Sequence, residues 1–329
     1  MILTLPWQVI PVFSIIINNN QPKYFPQARM KDLTIVIPAY NEEQALSSFL
    51  PELVDYCRKT GCQLIIVNDG SRDGTKELLN RYAEPAFFNP IHHKVNRGYG
   101  GAIKSGINAT KTPLVITIDA DGQHRLEDVT ALYDTLRKND ADMVIGNRQK
   151  HKESLYRKTG KALIRFIAGL LMHIPIYDLN SGMKIYVTDL VKHYMHLCPD
   201  NMALSDIITL IFINQRHLVL EHPITVIPRT TGTSTISIKT AFDTVFEIIH
   251  VATMFDPMRL FFPPALFFLL FSAVWGIPIL LRGEGVSVGT LFLFVTGLIF
   301  FFLGLLAEQL ALIRKNLYQV IFKKQSGDD

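Results

Sequence analysis

The chain has few cysteines, and none of them is placed for a disulfide framework or a metal site. Cys57, Cys62 and Cys198 are the only three among 329 residues, and they lack partners at metal-ligand spacing. This scarcity argues against a small disulfide-stapled fold and against a structural zinc site. It predicts reduced thiols in the core of a domain that faces the cytosol.

The chain also lacks an excess of charge of either sign. Lys and Arg number 33 against 29 Asp and Glu, so the formal net charge is +4. A basic surface for nucleic acid is therefore not predicted. Hydrophobic residues make up 48% of the chain and are unevenly distributed along it. The chain is long enough for a full α/β domain and an additional segment outside that domain.

Long apolar runs are confined to the C-terminal part of the chain, at residues 260–281 and 286–306. Each has about the 20 residues that are needed to cross a bilayer, and the connector Arg282–Gly285 is too short for a domain. The sequence therefore predicts a two-helix transmembrane hairpin. Basic residues flank its outer ends: Lys239, Arg259, Arg314, Lys315, Lys323 and Lys324. The positive-inside rule then places the large domain in the cytoplasm, in a multi-pass protein of two spans.

The N-terminal 30 residues fit neither a signal peptide nor a membrane span. The apolar run 2–17 is short, contains Pro6 and Pro11, and has no basic residue ahead of it. Residues 18–30 are typical of a polar linker. We expect this part to be either a membrane-touching extension or a consequence of start-codon choice.

Between these ends the sequence alternates strands and helices. Strands are predicted at 33–37, 63–67, 91–94, 114–118 and 142–145, and helices at 41–58, 74–82, 99–109 and 126–137. Continuous apolar strands that alternate with helices predict an α/β fold with a mostly parallel sheet covered on both faces. In such sheets ligands bind at the carboxyl ends of the strands.

Polar clusters follow three of the predicted strands, at residues 38–42, 68–71 and 119–123. If the alternation of side chains continued to the end of the fourth strand, Asp119 and Asp121 would point to the same side. Two carboxylates at one place suit Mg²⁺ or Mn²⁺, which takes further ligands from water and a substrate phosphate. A turn capped by Asp and Gly is the alternative, and the three clusters together favour the metal site.

Five motifs together resemble glycosyltransferase family 2. They read VIPAYNE (36–42), VNDGSRDG (67–74), NRGYGG (96–101), DADGQ (119–123) and DLNSG (178–182). The chain looks most like the polyprenyl-phosphate glycosyltransferases, of which dolichol-phosphate mannosyltransferase is the best-known type. The resemblance implies a Rossmann-like GT-A domain, followed by interfacial helices and the transmembrane hairpin.

The resemblance also implies a reaction, namely inverting transfer of a sugar from a UDP- or GDP-linked donor to polyprenyl phosphate. A divalent cation, Mg²⁺ or Mn²⁺, would stabilise the charge that develops on the leaving diphosphate. Asp121 and Gln123 would approach this metal. The nucleotide-sugar would be held by Pro38, Tyr40, Glu42, Asp69, Asp119 and Asp121.

A lipid monophosphate already carries a nucleophilic oxyanion, so its site needs cations more than a strong base. The candidates are Arg148, Arg157 and Arg229, with Ser234 beside the last. The family often has R-x-x-G-x-S-K at the third site, whereas this chain has Thr235 in place of the Lys, which weakens the expected clamp.

Asp206 falls where relatives often carry an acidic residue near the acceptor, and it is the candidate base. The expected catalytic residues are Asp121, Arg148, Arg229 and Asp206. The glycines of the stretch 98–101 are expected to allow close packing of a helix start, with phosphate binding as the alternative. We expect the histidines 92, 93 and 124 at the surface or the rim of the pocket.

The predicted division of the chain is an extension (1–30), a GT-A domain (31–235), an interfacial region (236–258), two transmembrane helices (259–315) and a cytoplasmic tail (316–329). Segments 155–176 and 236–255 are typical of interfacial helices and equally of core faces. The expected partners are the donor, the lipid and the membrane, and a homo-oligomer is left open. Two alternatives remain: a family member that acts on another lipid or glycan acceptor, and a catalytically silent scaffold subunit.

Overall fold

The computed structural model describes residues 29–148, 174–225, 246, 249–283 and 285–325, with side chains described as far as Arg314. Three candidate residues of the acceptor site, Arg157, Arg229 and Ser234, lie outside the described residues. The predicted N-terminal extension also lies outside them, except for its last two residues.

The described strands form one seven-stranded sheet. They are β1 (Leu33–Ala39), β2 (Gln63–Asn68), β3 (Ile91–His92), β4 (Leu114–Thr117), β5 (Met143–Arg148), β6 (Lys184–Val187) and β7 (Val219–Ile224). Their order in the sheet is β3-β2-β1-β4-β6-β5-β7, and only β6 is antiparallel to its neighbours. The predicted mostly parallel sheet is therefore confirmed, whereas β6 and β7 are strands that the sequence did not predict.

Among the described residues up to 225, six α-helices connect or follow these strands. They are α1 (Glu43–Thr60), α2 (Thr75–Tyr82), α3 (Tyr99–Ala109), α4 (Leu126–Asn139), α5 (Thr188–Tyr194) and α6 (Leu204–Asn214), with a 3₁₀ turn at Met195–Leu197. The longest two, α1 and α4, carry acidic residues in the first turn and basic residues in the last, which complements the helix dipole. The four helices that the sequence predicted are all present, within about two residues at each end.

Helices cover both faces of the sheet, as predicted. Leu46 and Leu50 of α1 pack with Val129 of α4 on one face. On the other face, Ile103 of α3 packs with Ile208 of α6. All three cysteines are buried and free, also as predicted.

Helical residues 249–255 belong to this second face, because Val251 and Ala252 are fully buried in its core cluster. This end of the predicted interfacial region 236–258 is therefore a core face, which was one of the two readings that the sequence left open. The physical reason is that the apolar side of this helix meets the apolar side of α6 before the chain reaches the hairpin.

Two long helices, α7 (Pro257–Leu281) and α8 (Val288–Gln325), form the C-terminal hairpin. Both are long and apolar enough to cross a membrane, and only 11% and 17% of their apolar windows are buried. That exposure distinguishes them from the core helices of a soluble protein. Helix α8 continues to Gln325, so most of the predicted tail 316–329 is helical.

The two hairpin helices approach closely where glycines face a neighbour. A Cβ at Gly297 would lie 2.7 Å from Cγ of Leu269, and a Cβ at Gly276 would lie 2.3 Å from Cγ2 of Thr290. Small residues at such crossings allow the backbones to pack tightly in a membrane. Ser272 adds a hydrogen bond from Oγ to the carbonyl oxygen of Thr290, at 3.0 Å.

Candidate active site

The three predicted polar clusters meet at one edge of the sheet. Strands β2, β1 and β4 are parallel neighbours, so their carboxyl ends lie side by side. Backbone bonds continue past the strand ends, from the amide of Asp69 to the carbonyl of Ala39 (2.8 Å) and from the amide of Ile118 to the carbonyl of Val36 (3.1 Å). The three clusters therefore lie next to one another, at the edge of the sheet where ligands bind in such folds.

The loops after β1 and β2 are held together by Asn41. Its amide donates to Oγ of Ser71 (3.0 Å), and its Oδ1 accepts from the amide of Arg72 (2.8 Å). Its φ of 55° is left-handed, a conformation that Asn adopts more readily than most residues. The neighbouring Tyr40 is 43% exposed, which leaves its ring available to a ligand, whereas Pro38 is buried within the sheet.

Asp69 is only 2% exposed and binds its own chain from both carboxylate oxygens. Oδ1 accepts from the amide of Arg97 (2.8 Å) and lies 2.6 Å from Nδ1 of His93, while Oδ2 accepts from the amide of Gly98 (2.9 Å). These bonds order the loop ahead of α3. Both carboxylate oxygens of Asp69 are therefore engaged by the backbone of the loop that contains Arg97 and Gly98, and its contact with the nucleoside stays a prediction.

Two of the three histidines, which were predicted at the surface or the rim of the pocket, have buried side chains. The side chain of His93 is 6% exposed, and its Nε2 lies 2.9 Å from Oγ of Ser105. The side chain of His124 is 5% exposed, and its Nε2 lies 3.5 Å from Oδ2 of Asp119. The ring of His93 is held by Asp69 and Ser105, which are 24 and 12 residues away in the chain, so no local sequence pattern reports its burial. Nδ1 of His124, in contrast, is buried without a hydrogen-bond partner among the described residues.

Asp121 belongs to a turn and not to a strand. Strand β4 ends at Thr117, so the alternation of strand side chains does not extend to Asp119. Instead, Oδ1 of Asp121 accepts a hydrogen bond from the amide of Gln123 (3.1 Å), and Gly122 has a left-handed φ of 67°. This Asx turn, which needs the glycine, holds the half-exposed Asp121 at the strand end.

Asp119 is the most constrained carboxylate of this turn. Its Oδ1 accepts from the hydroxyl of Tyr99 (3.0 Å), and its Oδ2 faces His124. Burial would raise the pKa of Asp119, but the hydrogen bonds from His124 and Tyr99 and the charge of Arg148 lower it below its ordinary value. The carboxylate is therefore an anion at neutral pH.

The fifth motif, residues 178–182, packs directly on this carboxylate. A Cβ at Gly182 would lie 2.1 Å from Oδ2 of Asp119, so only glycine fits. The carbonyl of Gly182 also accepts from Oγ1 of Thr117, at 3.3 Å. The sequence predicted neither contact, because β6, which brings this loop to β4, was not predicted.

Arg148 ends β5 and is held by Asp178 of the same motif. Its Nε donates to Oδ2 (2.9 Å) and its Nη2 donates to Oδ1 (2.8 Å) of this carboxylate, and Nη2 also donates to the carbonyl of Asn180 (2.8 Å). The side chain remains 33% exposed. The structure thus brings this candidate cation to the site as a fixed guanidinium with one partly open side.

Lys184, which the sequence did not single out, is a fully buried cation under the site. Its Nζ donates to the carbonyl oxygens of Leu179 (2.7 Å) and Ser205 (2.5 Å) and to Oγ1 of Thr209 (2.9 Å). One ammonium therefore joins the motif loop to the start of α6. The only signal in the sequence was a lysine inside the apolar strand that follows Gly182.

The start of α6 carries Asp206, which is 8% exposed and lies in the first turn. Burial lowers the pKa of Lys184 to about 8, although the negative charges of Asp206 and Asp178 oppose this shift. Asp206 and Lys184 are therefore both buried and close enough to interact electrostatically. The charges of Asp206 and Asp119 both act on Arg148, so Asp206 lies near this group of charges. Its role as a base near the acceptor stays a prediction.

We expect an alkaline limb in the pH profile of activity, with a midpoint near pH 8. Because the folded-state pKa of Lys184 lies below its ordinary value, the ammonium is present below about pH 8 and is lost as the pH rises through it. A neutral amine has two N–H groups for three acceptors, so one contact between the motif loop and α6 is lost.

The measurement is kcat/KM against pH for the wild type and for Lys184→Met, with Lys59→Met on the exposed surface of α1 as the matched control. Lys184→Met should lack the limb and have reduced activity at every pH, whereas the control should keep it. An identical limb in Lys184→Met would contradict the assignment to this residue.

The glycine-rich stretch 98–101 packs against the chain and forms no open phosphate cradle. A Cβ at Gly100 would lie 2.7 Å from the carbonyl carbon of Asp200, and the carbonyl of Asp200 accepts from the amide of Gly101 (3.1 Å). Lys104 adds a contact from Nζ to Oδ1 of Asp200 at 2.6 Å. The expectation of close packing at this helix start is confirmed.

The donor chemistry of the turn suits a hard divalent cation. Asp119 and Asp121 offer carboxylate oxygens and Gln123 an amide oxygen, which Mg²⁺ and Mn²⁺ prefer. Among the described residues no group of three or more His, Cys, Asp and Glu side chains is arranged to hold a metal. The turn therefore fits an ion that takes most of its ligands from water and a substrate, not a closed structural site.

Comparison with known proteins identifies two regions of the chain. Residues 34–195 match the family model "Glycosyl transferase family 2", and residues 256–313 match the model "GtrB C-terminal hairpin". The first region contains the strand-end clusters described above, and the second coincides with the apolar part of the hairpin.

Among curated proteins, the chain is similar to the undecaprenyl-phosphate 4-deoxy-4-formamido-L-arabinose transferase of Edwardsiella ictaluri. The two are 27% identical over 231 residues, which is 69% of each chain. A dolichyl-phosphate beta-glucosyltransferase of Trichomonas vaginalis is 31% identical over 183 residues, which cover 49% of this chain and 54% of that protein.

Among solved structures, glucosyl-3-phosphoglycerate synthase from Mycobacterium tuberculosis, crystallised with Mn²⁺, UDP-glucose and phosphoglyceric acid, is similar in fold. The TM-score is 0.52 at 16% sequence identity, over 67% of this chain and 79% of that one. This likeness concerns the fold alone, and it agrees with the GT-A architecture that the sequence predicted.

Proposed function

Because the chain belongs to glycosyl transferase family 2 and ends in a GtrB-type hairpin, we propose that it transfers a sugar from a nucleotide-sugar to polyprenyl phosphate, with inversion. The observation that carries this proposal is the meeting of three strand-end clusters and the motif 178–182 at one edge of the sheet. The names of the two curated relatives support the choice of polyprenyl phosphate as acceptor.

The donor half of the proposed site is the turn 119–123 together with the loops after β1 and β2. A divalent cation held by Asp121 and Gln123 would neutralise the charge that builds on the departing diphosphate. Tyr40 would stack on the base with its exposed ring, and Glu42 and Asp119 would accept hydrogen bonds from the nucleoside. Asp69 acts in this scheme by positioning Arg97.

The acceptor half lies on the side of the motif loop and α6. Arg148, oriented by Asp178, would present its open side to the lipid phosphate, since a guanidinium binds phosphate oxygens well. A phosphate oxyanion needs little activation, so Asp206 would act mainly by keeping Lys184 charged. Arg157, Arg229 and Ser234 complete the proposed acceptor set.

The proposal is tested by supplying the detergent-solubilised chain with polyprenyl phosphate, Mg²⁺ or Mn²⁺, and a panel of radiolabelled UDP- and GDP-sugars. One donor should give a labelled product that partitions into organic solvent. Donor hydrolysis without a lipid product would favour another acceptor, and no reaction with any donor would favour the silent scaffold.

We expect Arg229→Ala to impair the acceptor and not the donor. The residue lies in the R-x-x-G-x-S motif just ahead of the predicted interfacial region 236–258, and a lipid phosphate needs a cation where its oxygen attacks. The apparent KM for polyprenyl phosphate should rise or the transfer rate should fall. Calorimetry with nucleotide-sugar and metal should give nearly the wild-type affinity, and a collapse of donor affinity would assign Arg229 to the donor site.

The proposed orientation puts the α/β domain (31–235) and both chain ends in the cytoplasm, with only the connector of the hairpin outside. A cysteine at Ser287 should react with an impermeant thiol reagent in whole cells, and a cysteine at Ser326 should not. The three native cysteines are buried, so they give little background. The reverse labelling pattern would show that the charge bias misassigns the topology.

A further inference from the structure

A cavity of about 510 Å³ lies where the α/β domain meets the hairpin. It is lined by α5 and the end of α6 on one side, and by the start of α7 and residues 308–314 of α8 on the other. Asn214, at the last turn of α6, lies on its wall, whereas Asp206 lies in the first turn. At about 1.5 Å per residue these positions are roughly 12 Å apart, so the cavity is separate from the candidate active site.

The cavity lies at the level where the apolar surface of the hairpin begins. Arg259 lines it, and the next residue, Leu260, starts the apolar run of α7. On α8, Arg314 lines it, and the preceding Ile313 is 63% exposed. Cations beside exposed apolar side chains at this depth are placed at the headgroups of a bilayer.

Three guanidinium groups and two carboxylates line the cavity: Arg216, Arg259, Arg314, Asp256 and Glu308. Asp256 is already engaged, because its Oδ2 accepts from Nδ2 of Asn214 (3.0 Å) and lies 3.9 Å from Nε of Arg259. The balance therefore favours an anion. Guanidinium groups bind phosphate through paired hydrogen bonds, which a lysine cannot reproduce.

Arg216 gives a second, independent indication. It closes α6 with a left-handed φ of 63°, a position at which helices normally carry Gly or Asn. The amide of Arg216 donates to the carbonyl of Ile213 (3.1 Å), and that of His217 donates to the carbonyl of Phe212 (3.0 Å). A long cationic side chain at a position that favours glycine is explained if the side chain serves the cavity.

Beside Arg216, the wall of the cavity is held in place by a series of contacts between polar side chains. The hydroxyl of Tyr194 lies 3.0 Å from Nε2 of His217, and Nδ1 of His217 lies 3.3 Å from Oδ2 of Asp142. Both ring nitrogens of His217 are thus engaged by side chains of the domain. The cavity therefore has a rigid wall on the side of the domain.

We propose that this cavity binds the phosphate headgroup of an anionic glycerophospholipid from the leaflet next to the α/β domain. Its acyl chains would lie along the exposed apolar surface of α7 and α8. The bound lipid would join α6 to both hairpin helices and so fix the domain against the membrane. This site goes beyond the proposed function and does not depend on it.

The test is lipid binding by the full chain in a non-ionic detergent, measured by native mass spectrometry with phosphatidylglycerol as the probe. Arg216→Gly should lower the apparent affinity about tenfold, the scale of losing one charged hydrogen-bond donor. Without lipid this variant should unfold at no lower temperature than the wild type, because glycine relieves the left-handed backbone. A structural role of Arg216 alone would change stability and leave lipid affinity unaltered.

Arg282→Gln is the matched control, because Arg282 is exposed at the other end of the hairpin. It should keep the wild-type affinity for phosphatidylglycerol. An equal loss of affinity in this variant would show that the positive charge of the protein attracts the lipid non-specifically, without a site in the cavity. Equal binding of phosphatidylcholine, or full competition by inorganic phosphate, would overturn the assignment to an anionic lipid. Tighter binding of polyprenyl phosphate, lost in Arg216→Gly, would make the cavity an acceptor site and overturn it too.

Discussion

Replacing Asp121 by Asn should lower sugar transfer at least about a hundredfold, the usual scale for the loss of one electrostatic stabiliser. The change removes a negative charge from the proposed metal site while keeping the size of the side chain. Oδ1 of Asn can still accept the hydrogen bond from the amide of Gln123 that forms the turn. We therefore expect the fold and its unfolding temperature to be nearly unchanged.

The measurement is the initial rate of transfer in Mg²⁺ and in Mn²⁺, alongside a thermal unfolding curve. Asp140→Asn is the matched control, because it makes the same substitution at the exposed, left-handed end of α4, where Asn is well tolerated. It should retain wild-type activity. Turnover of Asp121→Asn near that of the wild type in either metal would contradict the metal assignment.

Replacing Gly182 by Ala should also abolish most activity, by about a hundredfold, although it adds only one methyl group. The new Cβ would lie 2.1 Å from Oδ2 of Asp119, so the carboxylate or the motif loop must move. A displacement of about 1 Å in an active site can cost a factor on the order of a hundred in rate. The loss should appear in the rate, because the change misplaces a charged group of the site.

Gly289→Ala provides the control, since a Cβ there meets its nearest atom, Oγ of Ser287, at 3.9 Å. That variant should transfer sugar at the wild-type rate. For Gly182→Ala, a thermal unfolding curve shows whether the variant is still folded. A loss of activity at a nearly unchanged unfolding temperature would indicate a displaced carboxylate, and a large fall in that temperature would indicate a lost fold. Wild-type activity in Gly182→Ala would show that the packing of the motif loop on Asp119 is not required.

The part of the fold that the sequence predicts is the part with continuous apolar strands. Strands β1, β2 and β4 are uninterrupted apolar runs, and the helices between them have a clear amphipathic period. Strand β6 begins with Lys184, and β7 contains Glu221 and Pro223, which obscure both patterns. A buried lysine in a strand is acceptable only because the carbonyls of Leu179 and Ser205 and the hydroxyl of Thr209 accept its hydrogen bonds, and these partners are unknown before the fold is known.

The candidate site was predictable at the level of motifs but not at the level of contacts. Because parallel strands end at one edge, the clusters that contain Asp69 and Asp119 were expected to meet, and they do. Whether a carboxylate faces a ligand or its own chain depends on neighbouring loops, and Asp69 turned out to bind the amides of Arg97 and Gly98. The alternation argument for Asp119 failed because β4 ends two residues earlier.

The most direct test of the central claim compares polyprenyl phosphate with the corresponding polyprenol as acceptor. The purified full chain is supplied with the donor found by screening and a divalent cation, and the lipid product is identified by mass spectrometry. We predict a glycosylated polyprenyl phosphate from the phosphorylated lipid and no product from the alcohol. The reason is that Arg148 offers a guanidinium to a phosphate, and that a phosphate oxyanion attacks without the strong base that a hydroxyl needs. Equal glycosylation of the alcohol, or consumption of the donor without any lipid product, would contradict the proposed function.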